Sequence, residues 1–360
     1  MISGQVGSLV YLLGFGLAFV VTAAITPAIR KIALDHGIVD HPDLGGRKIH
    51  RRPIAYLGGV AIFVGFLAAV SVFMPFGRQL AALLTGCAIL VLVGVIDDIR
   101  GLRAPVKLLF QFVAAGVALA GGIGITTITN PLGGEINLEA WKFAVNVGSF
   151  HFHISPIANG LSLLWMVGVA NTINFLDGLD GLASGVSGIA AVVMFALAVG
   201  PKVNQPITAL LAIILAGAAF GFLPYHFYPA KIFMGDSGAY FLGLCLAMLA
   251  IYSGAKLATA LLVLGFPIID ASWAAIRRIA KRTSPFKADR KHFHHLLLDV
   301  GLSQRQAVLV LYVVSAAFGL VALTAGSFTK LIALITLVFL VGISIAALVF
   351  KTRQIERRAH

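Results

Sequence analysis

The sequence predicts an all-α polytopic membrane protein with about eleven transmembrane helices and a short external hairpin. Three observations carry that expectation. Of its 360 residues 59% are hydrophobic and only 11% charged, where a soluble domain carries roughly 25% charged residues, and the mean hydropathy is +0.97. Apolar runs of about 20 residues, long enough for the hydrocarbon core of a bilayer, recur throughout. Of the 27 Lys and Arg residues, 22 fall in one alternating set of loops, the asymmetry that orients a chain with those loops on the cytosolic side.

The runs lie near 7–28, 56–75, 79–96, 105–125, 156–174, 183–199, 206–223, 239–253, 257–276, 306–325 and 330–350. The first lacks a basic leader and a small-residue cleavage site, so it reads as a retained span. Several of the others are glycine-rich, which lets helices approach closely in lipid. The exception to helix is 126–155. Its start is turn-rich, and Phe150, His151, Phe152, His153 and Ile154 alternate with period two, which predicts a strand. His151 and His153 have no third ligand nearby and read as part of that strand rather than as a metal site.

With the N-terminus outside, the loops 30–55, 97–107, 224–238 and 277–305 and the tail 351–360 face the cytosol, and Arg78, Lys142, Lys202, Lys256 and Lys330 stay outside. The net charge of +13 is then explained by topology and attraction to anionic lipid. No basic soluble domain for nucleic acid is present. Cys87 and Cys245 each sit inside an apolar run and read as small buried hydrophobes. One helical domain is expected to span residues 1–360.

Acidic groups gather at the ends of runs, where carboxylates are expensive unless they serve a metal, a substrate or a pathway. Asp97 and Asp98 close the third run; such a pair can bind magnesium, act as a base, or cap the loop beside Arg100 and Arg103. Asn171 and Asn174 are one helical turn apart, as are Asp177 and Asp180, with Gly178 and Gly181 loosening the chain between span and loop. Asp236 stands between Gly235 and Gly238, glycines that permit close backbone approach to a phosphate. Arg290, His292, His294 and His295 crowd one cytosolic loop and suit an anionic diphosphate, with spacing poor for tetrahedral zinc. Lys48 and His50 are further candidates for phosphate contact. Asp270, in the ninth run, is either functional or paired with Arg277 or Arg278.

In this order the motifs resemble those of the polyprenyl-phosphate N-acetylhexosamine-1-phosphate transferases, the family that includes phospho-MurNAc-pentapeptide transferase. The matches are Arg47-Lys48-x-His50 with Gly58-Gly59, Asp97-Asp98, Asn171-x-x-Asn174-x-x-Asp177-x-x-Asp180, Gly235-Asp236-x-Gly238 and His292-x-His294-His295. The last form is similar to the branch that uses simple UDP-sugars.

That resemblance implies transfer of a sugar 1-phosphate from a UDP-N-acetylhexosamine, foremost UDP-GlcNAc, to undecaprenyl or another polyprenyl phosphate. UMP is released, and the lipid-linked sugar initiates cell-surface polysaccharide such as O-antigen. The implied ion is magnesium, with manganese as the alternative. Asp236 would be its ligand with Asn174 beside it. Asp97 or Asp98 would engage the polyprenyl phosphate, Asp177 and Asp180 would order the uridine or metal side, and Lys48, His50, Asn171, Arg290, His292, His294 and His295 would contact substrate. Membrane lipids and a second copy of the chain, in a homodimer, are the remaining partners. Two positions depart from the family pattern: His226 where relatives usually have Asn, and Ala239 where Ser is common. They bear on donor contacts rather than on the reaction class. An ion-coupled transporter, the competing class, would hold its acidic residues near the midplane of the bilayer.

Overall fold

The computed structural model of the chain describes residues 7–42, 52–130, 133–147, 150–201, 203–252, 257–280 and 292–359. Helix α1 spans Ser8–Asp35, α2 Gly58–Phe73, α3 Arg78–Arg100, α4 Ala104–Ala120, α5 Pro156–Leu176, α6 Leu182–Val199, α7 Pro206–His226 and α8 Gly235–Tyr252. Then come α9 Leu257–Val263, α10 Gly265–Ala280, α11 Phe293–Asp299, α12 Gln304–Thr324 and α13 Ser327–Ala359. Among the described residues eight helices are long and apolar enough to cross a membrane: α1, α3, α5, α6, α7, α8, α12 and the Ser327–Ser344 part of α13. Helices α2 and α4 are apolar but shorter. The molecule is thus a multi-pass membrane protein, as its composition predicts.

The ninth expected span departs from expectation. It is broken at Leu264 into α9 and α10. Pro267 has no N–H to offer the carbonyl one turn earlier, so the helix restarts rather than continuing. The basic loop that follows is also less open than expected, because α10 carries Arg277 and Arg278 in its last turn and α11 takes up His294 and His295.

Helix α8 is at the centre of the bundle, with 83% of its apolar window buried, whereas 17% of that in α13 is. Small residues let it sit there. A Cβ on Gly59 of α2 would fall 2.0 Å from the Gly238 nitrogen, and one on Gly94 of α3 would fall 2.3 Å from the Ser237 Cα. Backbone therefore meets backbone where α2 and α3 reach the start of α8. Cys87 and Cys245 are free and buried, as expected of small hydrophobes.

Among the described residues three antiparallel ribbons interrupt the helices. The single hairpin expected over 126–155 is two: β3 (Thr127–Thr129) pairs with β4 (Glu135–Asn137), and β5 (Phe143–Val147) pairs with β6 (Phe150–Ile154). His151 and His153 occupy alternate positions of β6, opposite Asn146 and Ala144. Both ribbons join the end of α4 to the start of α5, opposite the end that carries the acidic residues. A third ribbon, β1 (Val39–Asp40) with β2 (Ile54–Ala55), has no counterpart in the sequence expectations. It is tied to the approach to α8, since the Phe233 N–H donates to the Ala55 carbonyl (2.8 Å) and the Gly58 N–H to the Phe233 carbonyl (3.0 Å).

Candidate active site

The motifs converge because of helix direction. Helices α3 and α5 end, and α4 and α8 begin, at the same face of the bundle. There a cleft of about 1130 Å³ is lined by Asp97, Asp98, Asn174, Asp177, Asp180, His226, Asp236 and His295, with Arg30, Arg52 and Lys231 among its basic residues.

The adjacent aspartates at the end of α3 have different partners. Asp98 Oδ1 accepts the Asp236 N–H (2.9 Å) and its Oδ2 accepts the Ser237 hydroxyl (2.8 Å), so it caps the N-terminus of α8, where unpaired N–H groups and the helix dipole favour an anion. Gly235 makes room for that cap. Its φ is +70°, and a Cβ there would lie 2.4 Å from Asp98 Oδ2. Asp97 Oδ1 accepts the Leu102 N–H (2.6 Å), and its Oδ2 meets Lys107 Nζ (3.1 Å).

Lys107, in the first turn of α4, reaches Asp236 Oδ2 as well (2.9 Å). The remaining oxygen, Asp236 Oδ1, accepts from Asn174 Nδ2 (2.8 Å). Asp97, Asp98 and Asp236 each present an oxygen, and these three atoms lie within 4.8 Å of one another. Like charges this close repel by on the order of 3 kcal/mol per pair at an effective dielectric of about 20. Lys107 offsets one charge of the three. An all-oxygen donor set with an uncompensated double negative charge fits a hard dication such as magnesium.

Past α5 the chain turns through Asp177 and Asp180 into α6, with Gly181 at φ +85° as the left-handed N-cap. Tyr312 of α12 donates to the Gly181 carbonyl and fixes the turn from the far side. Asp180 Oδ2 accepts the Ala230 N–H (2.9 Å), joining the turn to the segment before α8. Asp177 keeps 14% of its side chain exposed. Burial, then the charges of Asp236, Asp98 and Asp180, push its carboxyl well above the ordinary range. His226, 1% exposed, hydrogen-bonds Ser184 Oγ through Nδ1 (2.9 Å) and places Nε2 3.6 Å from Asp177 Oδ1.

Other expected site residues lie behind the cleft. Asn171 exchanges two amide hydrogen bonds with Gln111 of α4 (2.6 and 3.3 Å) and braces α4 against α5. His292 and His294 are 6% and 1% exposed and are not among the lining residues; of the histidine motif, His295 faces the cleft. Asp270 engages that motif. The Phe293 N–H donates to its Oδ1 (2.8 Å) and His292 Nδ1 stands 3.2 Å from its Oδ2, while Arg278 contacts the other nitrogen of the same ring (3.2 Å). Lys48, His50 and Arg290 lie outside the described residues. The flanks of the first two, Asp40 and Arg52, line the cleft.

Sequence reasoning missed Lys107, Gln111, Ser184, Ser237 and Tyr56. Tyr56 lines the cleft and hydrogen-bonds Asp40; burial first, and then the nearby carboxylates, push its hydroxyl upward and keep it protonated. A signal for Lys107 existed, since it stands four residues before Gln111 in an otherwise apolar stretch. Along the chain it reads as one more positive charge in a cytosolic loop.

A family model described as glycosyl transferase family 4 matches residues 80–254, a stretch that holds Asp97, Asp98, Asn174, Asp177, Asp180 and Asp236. The chain is 33% identical over 335 residues to a probable undecaprenyl-phosphate N-acetylglucosaminyl 1-phosphate transferase of Bacillus subtilis, covering 91% of this chain and 88% of the relative. It is 32% identical to a decaprenyl-phosphate N-acetylglucosaminephosphotransferase of Mycobacterium tuberculosis, over 82% of this chain and 77% of the relative. It is also 26% identical to an undecaprenyl-phosphate alpha-N-acetylglucosaminyl 1-phosphate transferase of Salmonella typhimurium, with 85% and 82% covered.

Proposed function

Since the chain belongs to glycosyl transferase family 4, we propose that it transfers N-acetylglucosamine 1-phosphate from UDP-GlcNAc to undecaprenyl phosphate. The reaction runs at the cytosolic face of a bacterial inner membrane. The observation that carries this reading is the meeting of Asp97, Asp98, Asn174, Asp177, Asp180 and Asp236 in one cleft with basic residues on its walls. This is what a diphosphate needs together with a dication.

An oxygen of the lipid phosphate attacks the phosphorus that bears the sugar. The bond from that phosphorus to the bridging oxygen breaks, and UMP leaves with the bridging oxygen. The attacking phosphate monoester has a second pKa of about 6 and is largely dianionic at neutral pH, so no strong general base is required. Asp236, Asp97 and Asp98, with the Asn174 amide adjacent, would hold magnesium, or manganese in its place. Bound there, the ion would neutralise charge developing on the diphosphate oxygens. Lys107 lies between Asp97 Oδ2 and Asp236 Oδ2 and offsets one of their charges. Asp98, engaged with the α8 N-terminus, positions Asp236. Arg30, Arg52 and Lys231 offer charge-assisted hydrogen bonds to phosphate oxygens.

The test is incubation of the purified protein with uridine-labelled UDP-GlcNAc, undecaprenyl phosphate and magnesium, followed by chromatography of the aqueous phase. UMP that depends on lipid and magnesium supports the reading. UDP as sole product means cleavage at the sugar C1 bond, and no lipid-dependent nucleotide at all with any UDP-N-acetylhexosamine removes the assignment. A panel of UDP-N-acetylhexosamines in the same assay separates UDP-GlcNAc from its epimers.

A further inference from the structure

Outside the cleft, the chain buries a second polar cluster: Asp270 and Arg278 of α10 with His292 and His294 at the start of α11. Asp270 is 2% exposed, Arg278 4%, His292 6% and His294 1%. Burying that many ionisable groups is costly unless each finds a partner. The partners here define a direction. Arginine only donates, so the Arg278 Nη2 contact of 3.2 Å makes His292 Nε2 an acceptor. The proton of His292 is then on Nδ1 and is donated to Asp270 Oδ2 at 3.2 Å. Asp270 Oδ1 accepts the Phe293 N–H at 2.8 Å, which supplies the cap that α11 lacks from its own N-cap residue, His292. The Arg278 cation makes the cluster unsuited to a metal.

The cluster points at the acidic turn. The His294 ring stacks on His292, with centroids 5.5 Å apart and planes at 13°. Its Nδ1 lies 3.7 Å from Asp270 Oδ2. Its Nε2 abuts Gly178, where an added Cβ would fall 2.4 Å away. Arg278 also lies over the Phe175 ring, 5.7 Å from its centroid. Gly178 is the neighbour of Asp177, and His295 the neighbour of His294.

We propose that Asp270 is a positioning residue for the transfer reaction, a buried latch that seats α11 against Gly178 so that His295 and Asp177 face the same cleft. This rests on the transferase reading above. Asn at 270 cannot replace Asp, because both Asp oxygens accept: the Asn NH2 would confront the N–H of His292 or, flipped, the N–H of Phe293, and turning the imidazole to its other tautomer would confront Arg278.

The direct test is carbethoxylation of the full-length protein with diethyl pyrocarbonate, read by mass spectrometry of its peptides. In the unsubstituted chain His295 should react, and His292 and His294 should be protected. Asp270→Asn should expose His292 and His294 by about tenfold in rate while His226 stays protected, which shows that the bundle remains folded. Kinetics supply the second readout. Asp270→Asn and Gly178→Ala should each lower kcat/KM for UDP-GlcNAc about tenfold, leave the KM of undecaprenyl phosphate unchanged, and in combination do no more harm than the worse single variant. Unchanged protection of His292 and His294 in Asp270→Asn overturns the latch. So do multiplying losses in the double variant, or an acceptor KM that rises in step with the donor KM. Gly178→Ala keeps every hydrogen-bonding group of the latch and pushes His294 away from the acidic turn instead, so it carries the kinetic test if Asp270→Asn does not fold. If the unsubstituted protein turns over no UDP-sugar, the reaction assignment fails while the carbethoxylation pattern still decides the latch.

Discussion

Asp98 accepts the backbone N–H of Asp236 at 2.9 Å, so one carboxylate of the acidic trio holds the helix that presents another. The pair is not two copies of one function. Asp98 spends both oxygens on the start of α8, whereas the oxygens of Asp236 meet side chains, Asn174 Nδ2 and Lys107 Nζ.

Asp236→Asn should reduce turnover about a hundredfold or more, because a neutral amide is a poorer ligand for a hard dication than a carboxylate. Raising magnesium should restore part of the rate. Turnover of the variant across a magnesium titration checks this, and near-native activity at limiting magnesium would remove Asp236 as the principal ligand.

Lys107→Met should tighten binding of a divalent ion even as it slows the reaction. Its ammonium group sits on Asp97 Oδ2 and Asp236 Oδ2, and its removal leaves the carboxylates with one more uncompensated charge. About fivefold tighter manganese binding, near 1 kcal/mol, is expected, measured by electron paramagnetic resonance of free manganese. Weaker binding would mean that the lysine organises the ligands rather than competing with the ion.

Asp177 gives a pH signature. Burial and neighbouring carboxylates raise its folded-state pKa above the ordinary value of about 3.9. The neutral acid is therefore the form the fold favours. Its contribution to stability is complete below about pH 4 and declines as pH rises toward the elevated value. In chelator, Asp177→Asn should raise the melting temperature over the unsubstituted chain by a margin that grows from pH 4 toward neutrality. A margin independent of pH would mean that Asp177 is ionised throughout.

His226→Asn should change the ratio of efficiencies between UDP-GlcNAc and its epimers. The imidazole lies in the cleft wall between Ser184 and Asp177, and Asn is shorter and carries a different donor pattern. Kinetics across a donor panel test this; equal ratios in both proteins would confine His226 to a structural part.

The acidic residues were legible in the sequence because each sits where an apolar run stops, a contrast visible without knowing which helices touch. Lys107 was not, because its meaning depends on α4 starting beside the ends of α3 and α5. Counted along the chain it is one more positive charge on the cytosolic side. Asp270 was half legible. Helical spacing offered Arg277 or Arg278 as its partner, and Arg278 does join the cluster, but His292 stands between the two, and both His292 and the Phe293 N–H reach Asp270 from more than twenty residues along the chain. The break at Leu264 was hidden by continuous hydropathy across it, with Pro267 as its local mark. Two-residue strands such as β1 and β2 leave no period to read.

The glycines beneath Asp236 divide the cleft mechanically. A single methyl group on Gly59 or Gly94 would strike backbone of α8 at 2.0 and 2.3 Å, so altering the floor means shifting a whole helix. The wall built by Arg52 and Tyr228 comes from segments between helices and moves at far smaller cost. The enzyme thus has a stiff anvil under an adjustable jaw, and a change of sugar can be met at the jaw without retuning the phosphate chemistry below it.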